Sequence, residues 1–164
     1  MKSIKKVIDC VNCLFKWSAL FCLTISVVAC VLQVFTRYVL NSSLVGTDEV
    51  ARYAFIWMSC LGSGVCTQKG AHAAVTLLSE KFTKRPTINN IYAILIHAMM
   101  AVFAFFMIYY GFELLDVVKK QYSAMLGIRM DYMYLAVPIG GVSILLNAVW
   151  IIIVRVGNLM GKEV

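Results

Sequence analysis

Four long stretches of this chain carry almost no charge, and its Lys and Arg residues gather between them on alternate sides. A hydrocarbon core roughly 30 Å thick is crossed by about 20 helical residues at a rise of ~1.5 Å each. The stretches at about 17–36, 49–68, 91–114 and 132–154 have that length, so the pattern predicts an all-α integral membrane protein with four transmembrane helices. Hydrophobic residues make up 62% of the chain and charged ones 14%, where soluble domains are about a quarter charged, so lipid is the solvent. With two prolines and no Ser/Gly-rich segment or repeat, residues 1–164 read as one membrane domain.

The net charge of +7 invites a nucleic-acid reading, but its distribution points elsewhere. Lys2, Lys5, Lys6 and Lys16 precede the first stretch; Lys69, Lys81, Lys84 and Arg85 follow the second; Arg155 and Lys162 follow the fourth. The opposite side receives only Arg37, Arg52, Lys119, Lys120 and Arg129, mixed with Asp48, Glu49, Glu113, Asp116 and Asp131. The positive-inside rule then places both termini and the middle loop in the cytoplasm. The basic clusters report topology and contact with phospholipid headgroups, and no nucleic-acid partner is expected.

Six cysteines suggest disulfides or metal, yet Cys10 and Cys13 fall on the cytoplasmic side, and Cys22, Cys30, Cys60 and Cys66 within or at the ends of spans. They read as small apolar fillers. Cys10-x-x-Cys13 has metal-ligand spacing, but no second Cys/His pair follows at zinc-site distance, and no metal is expected. The basic start also resembles a signal peptide, with a lipoprotein-like box at Val27–Cys30. The apolar run continues through Val31, Leu32, Val34 and Phe35, which favours an uncleaved first helix.

An ionised group at mid-bilayer costs about 2.5 to 3.5 kcal/mol, so buried charge marks function in such chains. None of the four predicted spans has Asp, Glu, Lys or Arg near its centre. Gln33 and Asn147 are the deepest amides and are expected to bond neighbouring helices. The densest polar cluster is the outward junction, where Arg37 ends the first helix and Thr47, Asp48, Glu49 and Arg52 open the second. Asp48–Arg52 has i,i+4 and Glu49–Arg52 i,i+3 spacing, and acidic residues in a first turn complement the helix dipole. The cluster is either a solvated helix start, a network with Arg37 that locks two helices, or a charged surface for a partner; locking is favoured over direct contact.

Ser59, Gly62, Ser63 and Gly64 form a small-residue face on the second helix suited to close helix packing, with Cys60 and Gly64 repeating the spacing. Val75, Leu78 and Phe82 recur at i, i+3, i+7, a pattern that fits a short interfacial amphipathic helix between helices 2 and 3, with a plain loop as the alternative. His72 and His97 could in principle sandwich a haem, but His72 falls at headgroup level and His97 deeper, so an interfacial His72 and a packed His97 are expected.

The segments "QVFTRYVLNSSLVGTDEVARYAFIWMSCLGSGV", "QKGAHAAVTLL" and "LGIRMDYMYLAVPIGG" together resemble the small membrane subunit of tripartite ATP-independent periplasmic (TRAP) transporters, the DctQ-like or Q-type subunit. The resemblance rests on Arg37 and Tyr38, on Asp48, Glu49 and Arg52, on Gly70 and His72, and on Leu135, Ala136, Pro138 and Gly140. Gly46 stands where that family usually has Trp, Asp48 replaces a Glu, Thr76 occupies an often acidic position, and Arg129 and Asp131 replace Pro and Trp.

The resemblance implies a non-enzymatic scaffold in the bacterial inner membrane. It would brace a large, sodium-coupled membrane subunit and help dock a periplasmic binding protein that delivers an organic acid. Arg37, Asp48, Glu49, Arg52, Trp57 and His72 become the candidate partner or structural network. No substrate site or cofactor is expected on this chain, sodium belonging to the large subunit. The alternatives are a haem-binding membrane anchor of a redox enzyme and a small four-helix efflux protein, the latter disfavoured because the first helix lacks a Glu.

Overall fold

The computed structural model describes residues 2–41, 45–69 and 86–159. They form five helices: α1 (Lys2–Tyr38), α2 (Thr47–Lys69), α3 (Pro86–Val118), α4 (Asp131–Tyr134) and α5 (Ala136–Leu159). The interfacial helix expected near Val75, Leu78 and Phe82, together with His72, falls outside the described residues. α3 opens on Pro86, at a position where the missing N–H has no intrahelical partner to lose. Pro138 cannot donate to the carbonyl of Tyr134, and the helix breaks there into the single turn of α4 and the long α5.

Among the described residues, three helical stretches are long and apolar enough to cross a membrane: Lys5–Tyr38, Asn90–Val118 and Asp131–Gly157. Four such helices were expected. α2 has the length, 23 residues, but Asp48, Glu49 and Arg52 at its start and Ser59, Ser63, Thr67 and Gln68 along it dilute its apolar character. α1 runs unbroken for 37 residues, about 55 Å, and so begins well inward of Trp17.

α5 is the central element, with α2 packed on one side and α3 on another, while α1 lies along α2 and meets α5 only locally. Among the described residues α3 packs on neither α1 nor α2, so the long helices stand in the order α1, α2, α5, α3 as an open layer. The close contacts come from small residues. A Cβ added at Gly140 would lie 2.9 Å from both Cβ and the carbonyl oxygen of Cys60, and one added at Gly64 would overlap the Ser143 hydroxyl. On the α3 side, a Cβ at Gly141 would meet Ile108 at 2.9 Å and the Ala104 carbonyl at 3.2 Å, and Pro138 presses on Gly111. In lipid, helices gain nothing by hiding Leu from water, so close backbone approach supplies the attraction.

Polar knots tie the same surfaces. The side-chain amides of Asn12 on α1 and Asn147 on α5 donate to each other's oxygens at 2.7 and 2.8 Å, and Asn147 also donates to the Gly64 carbonyl of α2 at 3.0 Å. Ser26 donates to the Ala51 carbonyl and Gln68 to Asp9, which sets α1 antiparallel to α2. His97 is buried, its Nδ1 2.7 Å from the Ala93 carbonyl one turn back. The interior is thus mostly small residues, Ala, Gly, Ser, Thr and Asn, with Leu61, Leu115, Val118 and Ile144 among them, whereas Phe103, Phe105, Tyr109 and Phe112 face outward.

Gly140→Ala should therefore destabilise the detergent-solubilised protein by about 1–3 kcal/mol through overpacking against the Cys60 backbone. Gly62→Ala, whose added Cβ meets nothing within 4 Å, should be neutral or slightly stabilising. Thermal unfolding of the two variants checks this, and equal losses would refute the contact map.

Candidate functional site at the outer helix junction

The charged residues singled out in the sequence converge on a cavity of about 520 Å³ lined by Gln33 and Arg37 of α1, Val45 and Gly46, Asp48, Glu49 and Arg52 of α2, and Ala124 and Met125 of the α3–α4 loop. The first turn of α2 sends its two carboxylates in different directions. Asp48 Oδ2 accepts from Arg52 Nη2 at 2.6 Å, an i,i+4 pair whose side chains are 60% and 62% exposed. Such a pair contributes little to stability in water.

Glu49 instead reaches the loop between α3 and α4. The Ser123 hydroxyl donates to Glu49 Oε2, and the backbone amides of Met125 and Leu126 donate to the carboxylate at 3.2 and 3.1 Å. The Ser123 hydroxyl is the main cause holding the Glu49 carboxyl below the usual carboxylate range; slight desolvation opposes it, and the Leu126 and Met125 amides and the Arg52 charge add to it. The loop is itself ordered by Ser123 N–H to Ile128 O and Met130 N–H to Gln121 O at 2.8 and 3.0 Å, with Gly127 in the left-handed region at φ +64°. Arg129 pairs with Asp131 at 2.5 Å and lies over the Tyr132 ring.

Arg37 lines the cavity and makes no ion pair among the described residues. The junction therefore does not close into one network. α1 is joined to α2 by the Ser26 and Gln68 hydrogen bonds, and the Arg37 guanidinium is left facing the cavity. Gly46 adopts φ +95°, and Leu126 lies 3.0 Å from where its Cβ would be. A Trp at this position would need a strained backbone and the space Leu126 fills.

Of the remaining sequence candidates, Trp57 is half-buried on α2 and does not line the cavity, and Ser59 is exposed with its hydroxyl on its own helix. Ser63 likewise bonds back to Cys60. The packing pair is Cys60 with Gly64, the alternative register of the small-residue face. Four contributors escaped the sequence reading: Asn12, Ser123 and the backbone amides of Met125 and Leu126. Glu49 and the loop are more than 70 residues apart, so no local spacing pairs them; only Gly127 marked a turn nearby.

Because Glu49 is held ionised, its grip on the loop is complete at neutral pH and is lost as pH falls through the lowered folded-state pKa. Hydrogen exchange of the Met125 and Leu126 amides should quicken severalfold in Glu49→Gln at neutral pH and in the wild type only under acid. An unchanged exchange rate in Glu49→Gln would show that the loop orders itself without the carboxylate.

Comparison with known proteins assigns the family. The family model for the DctQ component of tripartite ATP-independent periplasmic transporters matches residues 26–157. The sialic acid TRAP transporter small permease protein SiaQ of Vibrio cholerae is 24% identical over 110 residues, 67% of this chain and 62% of that protein. A Haemophilus influenzae protein described as a TRAP transporter small permease is 40% identical over 50 residues, 30% of this chain and 31% of its own length. The aligned region thus spans less than two thirds of each relative. With a match that runs from the middle of α1 to the end of α5, the chain belongs to the DctQ component family of TRAP transporters.

Proposed function

We propose that this chain is the small scaffold subunit of a sodium-coupled secondary transporter that imports an organic acid delivered by a periplasmic binding protein. It braces the large membrane subunit in the bacterial inner membrane, with α2 as a fourth crossing helix and both termini cytoplasmic, and its outer junction offers part of the surface on which the binding protein docks. The observation that carries this reading is the open helical layer, in which large aromatic and aliphatic side chains face outward and the interior is filled by small residues. Among the described residues, a layer of this kind leaves a flank to cover. Charge supports the orientation: Lys5, Lys6 and Arg155 lie at one end of the layer and the Asp48–Glu49 junction at the other. The Arg37 guanidinium, at the cavity wall and without an ion pair among the described residues, suits a carboxylate on a docking protein.

In this reading Arg37→Ala lowers uptake by reconstituted complex severalfold, and Arg52→Ala, whose guanidinium is partly taken by Asp48, lowers it less. The isolated binding protein keeps its affinity for the organic acid in both cases. Gradient-driven accumulation of the acid by liposomes holding this chain alone would refute the scaffold role.

A further inference from the structure

Resting on that reading, we infer that the loop joining α3 to α4 is a preformed knob that the periplasmic binding protein grips, with Tyr122, Met125 and Ile128 entering an apolar recess whose acidic rim meets Arg37. Residues 119–130 lie between the apolar runs Asn90–Val118 and Asp131–Gly157, outside the stretches able to cross a membrane. Within residues 121–129 only Ser123 is buried, and the rest are exposed.

A loop this exposed is nonetheless ordered, and polar groups order it. Tyr122 and Arg129 face each other as an antiparallel bridge, the Ser123 N–H donates to Ile128 O at 2.8 Å, and the Gly127 N–H donates to Ser123 O at 3.2 Å. The Leu126 N–H also reaches the Ser123 hydroxyl at 3.2 Å, and Glu49 fastens the whole turn to α2 through Ser123, Met125 and Leu126. Backbone and hydroxyl groups are thus satisfied on the inside while apolar side chains stand outside: Tyr122 is 64% exposed and Met125 62%. Order that leaves these side chains uncovered adds little hydrophobic stability to this chain. It does spare a partner the cost of fixing a flexible loop on contact.

The direction of the loop selects a protein over the lipid beside it. Among the described residues α3 is at one edge of the layer, and the loop runs from its end toward the first turn of α2. There Leu126 packs over Gly46, and Ala124 and Met125 form a wall of the cavity that Arg37 also lines. The knob therefore stands over the helix ends and not off the flank. Asp48, Arg52, Lys119, Lys120 and Arg129 around it are all exposed, a setting of water and not of acyl chains. Of the two cations in the cavity wall, Arg52 is paired with Asp48, whereas Arg37 has no ion pair among the described residues. An acidic rim on the partner is complementary to Arg37. Met125, exposed and also part of the cavity wall, sets the apolar and the charged contact side by side.

The test assembles this chain with the large TRAP membrane subunit of the same organism in lipid nanodiscs and measures the dissociation constant of that organism's TRAP periplasmic binding protein, purified with the acid it carries. Met125→Asp and Ile128→Asp should each weaken binding by about tenfold or more, and Met125→Leu should keep it within about twofold. All three should retain the large subunit as the unaltered chain does, which separates docking from assembly. A photoreactive benzoylphenylalanine in place of Tyr122, in an otherwise unaltered complex, should crosslink to the binding protein. That measurement decides the matter even if the Met125→Asp and Ile128→Asp chains fail to accumulate. Unchanged binding in both, or crosslinks only to lipid or to the large subunit, would overturn the inference. Failure of the unaltered complex to bind the binding protein at all would instead bring down the docking reading itself.

Discussion

Close backbone contact along α5 is the constraint on which the rest of the molecule depends. Gly140 and Ser143 receive α2 through Cys60 and Gly64, Gly141 and Pro138 receive α3 through Ala104 and Gly111, and Asn147 draws in α1 through Asn12. In lipid these contacts have no hydrophobic drive behind them, so side-chain size at each crossing decides whether the helices approach. The segment Leu135–Gly140, one of the four that carry the family resemblance, is thereby explained as a packing device. Its proline separates α4 from α5 and fills the notch at Gly111, and its glycine admits α2.

An interior built from small residues has a consequence for function. Large side chains are displaced to the surface, and the helices form a layer with broad apolar faces. A layer can stiffen a neighbouring membrane protein over a wide area, which suits a subunit that contributes support. At the outer junction Glu49 pins the α3–α4 loop to the start of α2 and keeps the rim of the cavity in place around Arg37. Order there comes from one carboxylate accepting three donors, and the neighbouring Asp48–Arg52 pair, exposed to water, adds little.

Much of this was legible in the chain itself. Runs of apolar residues long enough for a bilayer, the sidedness of Lys and Arg and the ordered family motifs determined the helical membrane class and the family, because these signals are local and the lipid solvent demands them. The expectation that Asn147 bonds another helix and that His97 is packed also held, since a deep amide or imidazole in an apolar run must find a partner. What only the tertiary structure decided was register and direction. It chose Cys60 and Gly64 over Ser59 and Gly62 as the contact face, and it sent Glu49 to a loop more than 70 residues away while leaving Arg37 without an ion pair among the described residues. Those outcomes depend on how far one helix slides past another, and that offset arises from contacts distant in sequence, which no local pattern encodes.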